Sequence, residues 1–327
     1  MAKILVTGGA GYIGSHTTLE LLENGYEVVI VDNLSTGHMV LAPKGAEFET
    51  ANVGDKAAME KIIDKHNPEA VIHFAGSIQV EESVSNPLKY YDNNTSVTRS
   101  LIETCVKKKV NKFIFSSTAA VFGEPKETQL NEDVVKAPIN PYGMSKLMTE
   151  QILKDTAFAH KDFKFVILRY FNACGADGQQ RSGQICEKAT HLIKIAAELA
   201  LGKREKMSVF GTDYPTKDGT CVRDFIHVSD LANIHKKAMD YLIEKNQSNI
   251  FNCGYGKGYS VRDILNSVEK YMGKKLNIID ADRRAGDPAE LIADNSKLKE
   301  VLSWKPKHDN IDEIVSSSIK WEKSLSL

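Results

Sequence analysis

Tyr142 and Lys146 stand four residues apart in Pro141-Tyr142-Gly143-Met144-Ser145-Lys146, behind a proline suited to opening a helix. On a helix, side chains at i and i+4 share a face, so a phenol and an ammonium are brought into one neighbourhood. A free phenol titrates near pH 10. To act as a base near pH 7 its anion needs roughly 3 pH units of stabilisation, about 4 kcal/mol. The lysine charge can supply part of this. The same spacing also occurs on many solvated helix faces, so the rest of the chain must supply the pair's partners.

The elements that position such a pair are legible as aliphatic runs. Strands are expected at 4–7, 27–31, 46–50, 70–74, 112–116 and 163–170, separated by intervals that suit crossover helices. This predicts an α/β protein with a Rossmann-type doubly wound parallel sheet and a second, smaller α/β domain. The first strand runs into Gly8-Gly9-Ala10-Gly11-Tyr12-Ile13-Gly14, followed by a helical run over 15–24. Glycines three apart allow a tight turn, close approach to a pyrophosphate, and close packing of helix on strand. Asp32 ends the next strand, where a carboxylate suits a ribose diol and repels a 2′-phosphate. The loop therefore predicts NAD rather than NADP, and a bound nicotinamide cation would further favour the Tyr142 anion. The fourth strand ends in His73-Phe74-Ala75-Gly76, whose small residues leave room for a cofactor across the sheet. Asn93-Asn94 precede a helix expected through Lys109 and fit a helix cap. The fifth strand ends in Ser116-Ser117-Thr118-Ala119-Ala120, and Thr118 is the natural relay between a substrate hydroxyl and Tyr142.

Composition narrows the partners. The 327 residues, 42% hydrophobic and 26% charged, are those of a globular protein of one large or two smaller domains. With 42 basic and 43 acidic residues the net charge is −1, which offers nothing to nucleic acid or an anionic membrane. Lys107-Lys108-Lys109 reads as a solvated helix end. The five cysteines lack a Cys-x-x-Cys pair and the nine histidines form no metal-spaced cluster, so thiols are expected reduced and metal absent. Met1-Ala2-Lys3 leads straight into Ile4-Leu5-Val6, and no apolar run approaches the ~20 residues of a membrane span, so a cytoplasmic protein is expected.

The chain resembles the UDP-glucose 4-epimerases (UDP-galactose 4-epimerases) of the extended short-chain dehydrogenase/reductase family. The resemblance is carried by Val6–His16, Val31-Asp32-Asn33-Leu34, Val71–Gly76, Pro87–Asn94, Leu168–Asn172, Phe210–Pro215, Asp218–Thr220, Val222–Val228 and Arg283-Arg284-Ala285-Gly286-Asp287. It implies that Tyr142 removes the sugar 4-hydroxyl proton with Thr118 bridging, while hydride passes from C4 to tightly held NAD. The 4-keto sugar then turns over and takes the hydride back on its other face. Lys146 is implied to hold the nicotinamide ribose and depress the Tyr142 pKa. Implied cofactor contacts are Gly8, Gly11, Tyr12, Ile13, Gly14, Asp32, Asn33, Asn52, Val53, Phe74, Ala75, Gly76, Asn94, Ser116 and Tyr170, with Tyr142 and Lys146. Implied sugar-nucleotide contacts are Asn172, His191, Leu192, Phe210, Arg223, Arg284, Asp287 and Leu291, with Thr118 and Tyr142. Two arginines make sense for a diphosphate, which needs fixed cationic donors, although Arg223-Asp224 and Arg284-Asp287 can equally be local ion pairs.

Residue identities separate rival chemistries. Related 4,6-dehydratases carry Asp and Glu directly after the threonine to expel water, and UDP-glucuronate decarboxylases carry a glutamate at the second position. Here those positions are Ala119 and Ala120, which cannot transfer protons. A non-catalytic NAD-binding regulator would not need the Tyr-Lys pair. The expected activity is interconversion of UDP-glucose and UDP-galactose; the alternative is 4-epimerisation also or mainly of UDP-N-acetylglucosamine and UDP-N-acetylgalactosamine. Departures from the family pattern are Ile78 for a lysine near the phosphates, Asn52 for an aspartate near adenine, and Phe225 for a tyrosine. Segment 175–188 fits the pattern poorly and is assigned no site. Leu291 stands where a bulky tyrosine is linked to excluding N-acetyl sugars, so pocket volume there governs the choice of sugar. The expected division is an NAD-binding domain, 1–172 plus 222–252, and a nucleotide-sugar domain, 173–221 plus 253–327. A homodimer is implied through helices near 95–109 and 143–160.

Overall fold

The computed structural model describes residues 2–186, 189–284 and 287–325, so Ala285-Gly286 within the Arg283–Asp287 motif lie outside the described residues. In chain order the strands are β1 (Lys3–Thr7), β2 (Glu27–Asp32), β3 (Glu47–Thr50), β4 (Ala70–His73), β5 (Lys112–Thr118), β6 (Gln129–Leu130) and β7 (Lys164–Tyr170), then β8 (Asn172–Cys174), β9 (Met207–Phe210), β10 (Val222–His227), β11 (Asn249–Cys253), β12 (Gly258–Ser260), β13 (Ile278–Ala281) and β14 (Glu290–Ala293). The helices are α1 (Tyr12–Glu23), α2 (Lys56–His66), α3 (Val80–Ser85), α4 (Pro87–Tyr90), α5 (Val97–Lys107), α6 (Pro141–Ala159), α7 (Leu192–Ala200), α8 (Val228–Lys245), α9 (Val261–Met272), α10 (Ser296–Leu302) and α11 (Ile311–Ser324).

The main sheet has seven parallel strands in the order β11-β7-β5-β4-β1-β2-β3. Alternation along each strand feeds two cores, one on each face. Ile4 and Val6 join Ile114, Val166 and Leu168 against Leu21 of α1 and Leu231, Ile234 and Met239 of α8. Leu5, Phe113, Phe115 and Ile167 point the other way, onto Met59 and Ile62 of α2, Leu101 of α5 and Leu153 of α6. Burial on both faces explains why these strands read as continuous aliphatic runs. The six expected strands are all present. The seventh, β11, was not expected; it pairs with β7 from Asn249↔Val166 to Cys253↔Tyr170.

A smaller sheet runs β12-β10-β14-β6, with β8 paired to β10, and β13 pairs β9 separately. Its strands are two to six residues long and come from scattered parts of the chain. Between β1 and β4 the strand order reverses, which opens a crevice at the carboxyl ends of the strands. Among the described residues no helix is long and apolar enough to cross a membrane, and no His, Cys, Asp or Glu cluster could hold a metal ion. All five cysteines are free.

Candidate active site

The glycine loop sits at that crevice. Gly8 has φ +72°, and a Cβ there would lie 2.6 Å from the Ala75 nitrogen, so the ends of β1 and β4 close together only around a glycine. A Cβ on Gly14 would stand 2.2 Å from the Gly8 carbonyl oxygen. The first turn of α1 can therefore lie on the loop with its N–H groups facing outward. No side chain caps that helix and no acidic residue occupies its first turn, leaving the Tyr12 and Ile13 end open to an anion. Asp32 fixes the loop from the next strand: its Oδ2 accepts from Ala10 N at 3.0 Å and its Oδ1 from Leu34 N at 2.9 Å. Each oxygen keeps a lone pair for a ribose hydroxyl. Asn33 and Asn52 turn their side chains to Ser35 N and Gly54 N, at 3.0 and 2.9 Å, and Val53 is buried beneath. The cradle fits a dinucleotide.

Segment 175–186, assigned no site above, packs along α1. Tyr12 Oη donates to the Gly175 carbonyl at 2.6 Å, and the Ser15 and Ser182 hydroxyls meet at 2.6 Å. Arg181 is held by Asp177 at 2.8 Å and by Glu23 at 2.5 Å.

Beyond β4, the expected cap is replaced by a wider turn. Tyr91–Ser96 forms a π-helical turn between α4 and α5, and Asn94 is buried at its centre. The Asn94 Oδ1 accepts from Ser77 N at 2.7 Å, while its amide donates to the Ser77 carbonyl at 3.0 Å and to Ser145 Oγ at 3.1 Å. Asn94 thus joins the turn after β4 to α6. A Cβ on Gly76 would lie 2.9 Å from Asn94 Oδ1 and 3.7 Å from Lys146 Nζ, placing that turn beside the lysine.

Pro141 opens α6 and Asn140 caps it, accepting from Gly143 N at 2.8 Å. Tyr142 then meets Thr118, whose hydrogen bond favours the phenolate, although burial is the larger effect and raises the phenol above its ordinary range. Lys146, 4% exposed, donates from Nζ to the Ser116 carbonyl at 3.0 Å and lies 5.0 Å from the Phe115 ring centre. Burial lowers its pKa to about 8. The group lowering the phenol in this structure is therefore Thr118 rather than Lys146. Tyr170 closes the far side. His235 Nδ1 sits 2.8 Å from the Leu231 carbonyl, so its proton is there and the bare Nε2 accepts from the Tyr170 phenol at 2.5 Å. Phe74 lies against that imidazole at 4.8 Å.

The smaller sheet supplies the opposite wall. Arg223 of β10 and Leu291 of β14 are register partners, and Leu291 packs with Ala119 and Phe171 beside Thr118. Asn172 donates to the Asp224 carbonyl at 3.0 Å. His191 and Leu192 begin α7, which no side chain caps. Arg284 lies over the Phe210 ring at 4.0 Å and pairs with Glu81 of α3 at 3.5 Å. Arg223 pairs with Asp287 and donates to the Val222 and Pro288 carbonyls at 2.7 Å. The ion pairs are thus crossed relative to the local ones read from the sequence. Arg284 remains the more accessible cation.

The profile of the NAD dependent epimerase/dehydratase family matches residues 4–254. The chain belongs to the NAD dependent epimerase/dehydratase family. Within that family it is 47% identical over 323 residues to a UDP-glucose 4-epimerase of Azospirillum brasilense, covering 99% of this chain and 92% of that one. Among solved structures, it is 49% identical to the UDP-Glc/GlcNAc 4-epimerase of Campylobacter jejuni, with a TM-score of 0.88 over 99% of this chain and 100% of that one. A UDP-glucose 4-epimerase of Brucella ovis, solved in complex with NAD, is 41% identical with a TM-score of 0.95 over 98% of both chains. The chain thus shares the fold of a UDP-glucose 4-epimerase solved with NAD, and NAD is the cofactor.

Proposed function

We propose that the chain interconverts UDP-glucose and UDP-galactose by transient oxidation at sugar C4. The observation that carries this reading is the Tyr142 phenol hydrogen-bonded to Thr118, with Lys146 buried alongside and only Ala119 and Ala120 next in the chain. Thr118 and Tyr142 hold the 4-hydroxyl, and Tyr142 takes its proton and later returns it. Bound NAD would supply the acceptor for the C4 hydride and the donor that returns it to the opposite face. Lys146, anchored on the Ser116 carbonyl, holds the nicotinamide ribose, while the Thr118 hydrogen bond lowers the cost of the Tyr142 anion. Ala119 and Ala120 offer no proton donor or base, so the 4-keto sugar has no route to lose water. Gly8, Gly11, Tyr12, Ile13, Gly14 and Asp32 hold the dinucleotide; Arg284, Arg223, Phe210, Asn172 and the start of α7 hold the uridine diphosphate.

Purified protein incubated with UDP-galactose and no added reductant is expected to yield UDP-glucose. Absence of that product from protein carrying NAD would overturn the reading. A second reading, turnover of N-acetylated UDP-hexosamines, is favoured by Leu291, which leaves more room beside Ala119 than a tyrosine would. The similarity to the Campylobacter jejuni enzyme, named for both sugars, points the same way. Leu291→Tyr is expected to lower kcat/KM for UDP-N-acetylglucosamine while sparing UDP-galactose; equal loss for both would remove Leu291 from sugar selection.

We also assign residues 1–172 and 222–252 to cofactor binding and 173–221 and 253–327 to the nucleotide sugar. The placement of β11 and α8 with the main sheet supports this, whereas β10, which carries Arg223, joins the smaller sheet on the nucleotide-sugar side. We also propose a cytoplasmic protein that forms a homodimer through α5 and α6; Met148 and Phe158 of α6, 42% and 78% exposed, support the α6 part of that interface. Light scattering tests it, a mass of one chain being the contrary result.

A further inference from the structure

Tyr142, Lys146 and Glu150 recur at every fourth residue of α6 and so share the face turned toward the sheet. Three consecutive residues of β5 receive them. Thr118 bonds the phenol, the Ser116 carbonyl takes Lys146 Nζ, and the Ser117 hydroxyl donates to Glu150 Oε1 at 2.6 Å. The first two contacts belong to the proposed chemistry. The third has no part in it so far.

Glu150 also receives both arms of Arg169, Nε on Oε1 at 2.9 Å and Nη2 on Oε2 at 2.7 Å. Arg169 lies on β7 and is the register partner of Ser117, so one carboxylate grips two neighbouring strands at one level. Neither member of the ion pair is more than 1% exposed. Net stability is a weak reason for such a pair, because desolvation of two charges offsets most of their attraction. Direction is a stronger one, since a forked guanidinium–carboxylate pair fixes both distance and rotation. The helix needs that. Its buried residues are Gly143, Ser145, Lys146, Thr149, Glu150 and Leu153, so Leu153 is its one fully buried large apolar side chain, with Leu147 and Ile152 only partly buried against the cores. Gly143 permits close approach, since a Cβ there would lie 2.6 Å from the Ala120 carbonyl oxygen, but it does not hold the helix in place.

We propose that Glu150 is a positioning residue for the reaction: its grip on Ser117 and Arg169 sets the depth and rotation of α6, so that Tyr142 reaches Thr118 and Lys146 reaches the Ser116 carbonyl. The proposal rests on the reading of Tyr142 as the base. A shift of 1 Å in such a site costs on the order of 10²-fold in rate.

The test uses the full chain with NAD bound and UDP-galactose as substrate. Glu150→Gln keeps the shape and removes the charge; Ser117→Ala removes one bond and leaves the Arg169 fork intact. Glu150→Gln is expected to lower kcat at least tenfold with KM changed less than twofold. The acid limb of kcat against pH should move upward, because a phenol displaced from Thr118 loses the bond that favours its anion. Ser117→Ala is expected to move the same limb in the same direction with a kcat loss of threefold or more, and it decides the matter if Glu150→Gln does not fold. Unchanged kcat and an unmoved acid limb in the folded variants, whatever their melting temperature, would overturn the proposal. Failure of the base reading is separable: it appears as retained turnover in Tyr142→Phe, whereas an inactive Tyr142→Phe beside an unaffected Ser117→Ala defeats the positioning role alone.

Discussion

Two opposed effects meet at the Tyr142 oxygen. Burial raises the phenol's pKa and the Thr118 hydrogen bond lowers it, with burial the larger. Removal of the phenolic oxygen in Tyr142→Phe is therefore expected to reduce kcat by about 10²–10⁴-fold, with NAD retention and circular dichroism unchanged. Lys146 is displaced the other way, to about 8, so its cation is present below that pH and lost above it. Rate against pH is accordingly expected to fall on the alkaline side near 8, and a rate still rising through pH 9 would remove Lys146 from that limb. The catalytic candidates were legible because Thr118, Tyr142 and Lys146 carry their meaning in residue type and short spacing. Glu150 and Arg169 were not, because they are 19 residues apart and meet only through the register of β5 with β7. The crossed pairs Arg223–Asp287 and Arg284–Glu81 were hidden for the same reason: proximity in sequence suggested other partners.

Helices and strands in this protein are placed by what is missing at their contacts as much as by what is present. Gly14→Ala would press a methyl against the Gly8 carbonyl and lift α1 off the loop. We expect this variant to elute from gel filtration without NAD, whereas full retention of the cofactor would show that the loop adjusts. Across the cleft, α3 reaches the segment after β13 through Glu81 and Arg284, both well exposed. An exposed pair contributes about 0–1 kcal/mol, so Glu81→Ala should lower KM for the UDP-sugar by no more than about fivefold and strengthen its salt dependence. An unchanged KM would mean that Glu81 does not compete with the diphosphate. The doubly covered strands of the main sheet announced themselves as aliphatic runs. The strands β6, β8 and β12 are two or three residues long, and β6 finds its partner β14 from far along the chain, so no local pattern could mark them. The buried face of α6 is mostly polar, which hides its orientation from any hydrophobic periodicity.

The molecule as a whole keeps several imidazoles uncharged. Burial lowers His73 and His227 to about 3, and His16 and His235 to about 4. Their ordinary value is near 6.5, so below that pH the unfolded chain binds protons that the folded one refuses, and stability falls as pH drops toward 4. At pH 5 each such group costs at most about 2 kcal/mol. Asp224, raised to about 6 by burial, acts in the opposite sense and destabilises the fold as pH rises through 6. The histidines outnumber it, so the urea midpoint should drop between pH 7 and pH 5, and a flat midpoint would show that the imidazoles are not buried in solution. The parallel sheet adds a temporal constraint. Its outer strand beyond β7 is residues 249–253, made after the chain has left to form β8, β9 and β10. On the ribosome, β7 must wait with one edge unpaired, and its apolar Phe165–Leu168 is a ready template for another strand. A chain ending at residue 248 is therefore expected to collect in the insoluble fraction. The nascent protein is most exposed to aggregation after its catalytic residues have been synthesised and before the sheet that carries them has been closed.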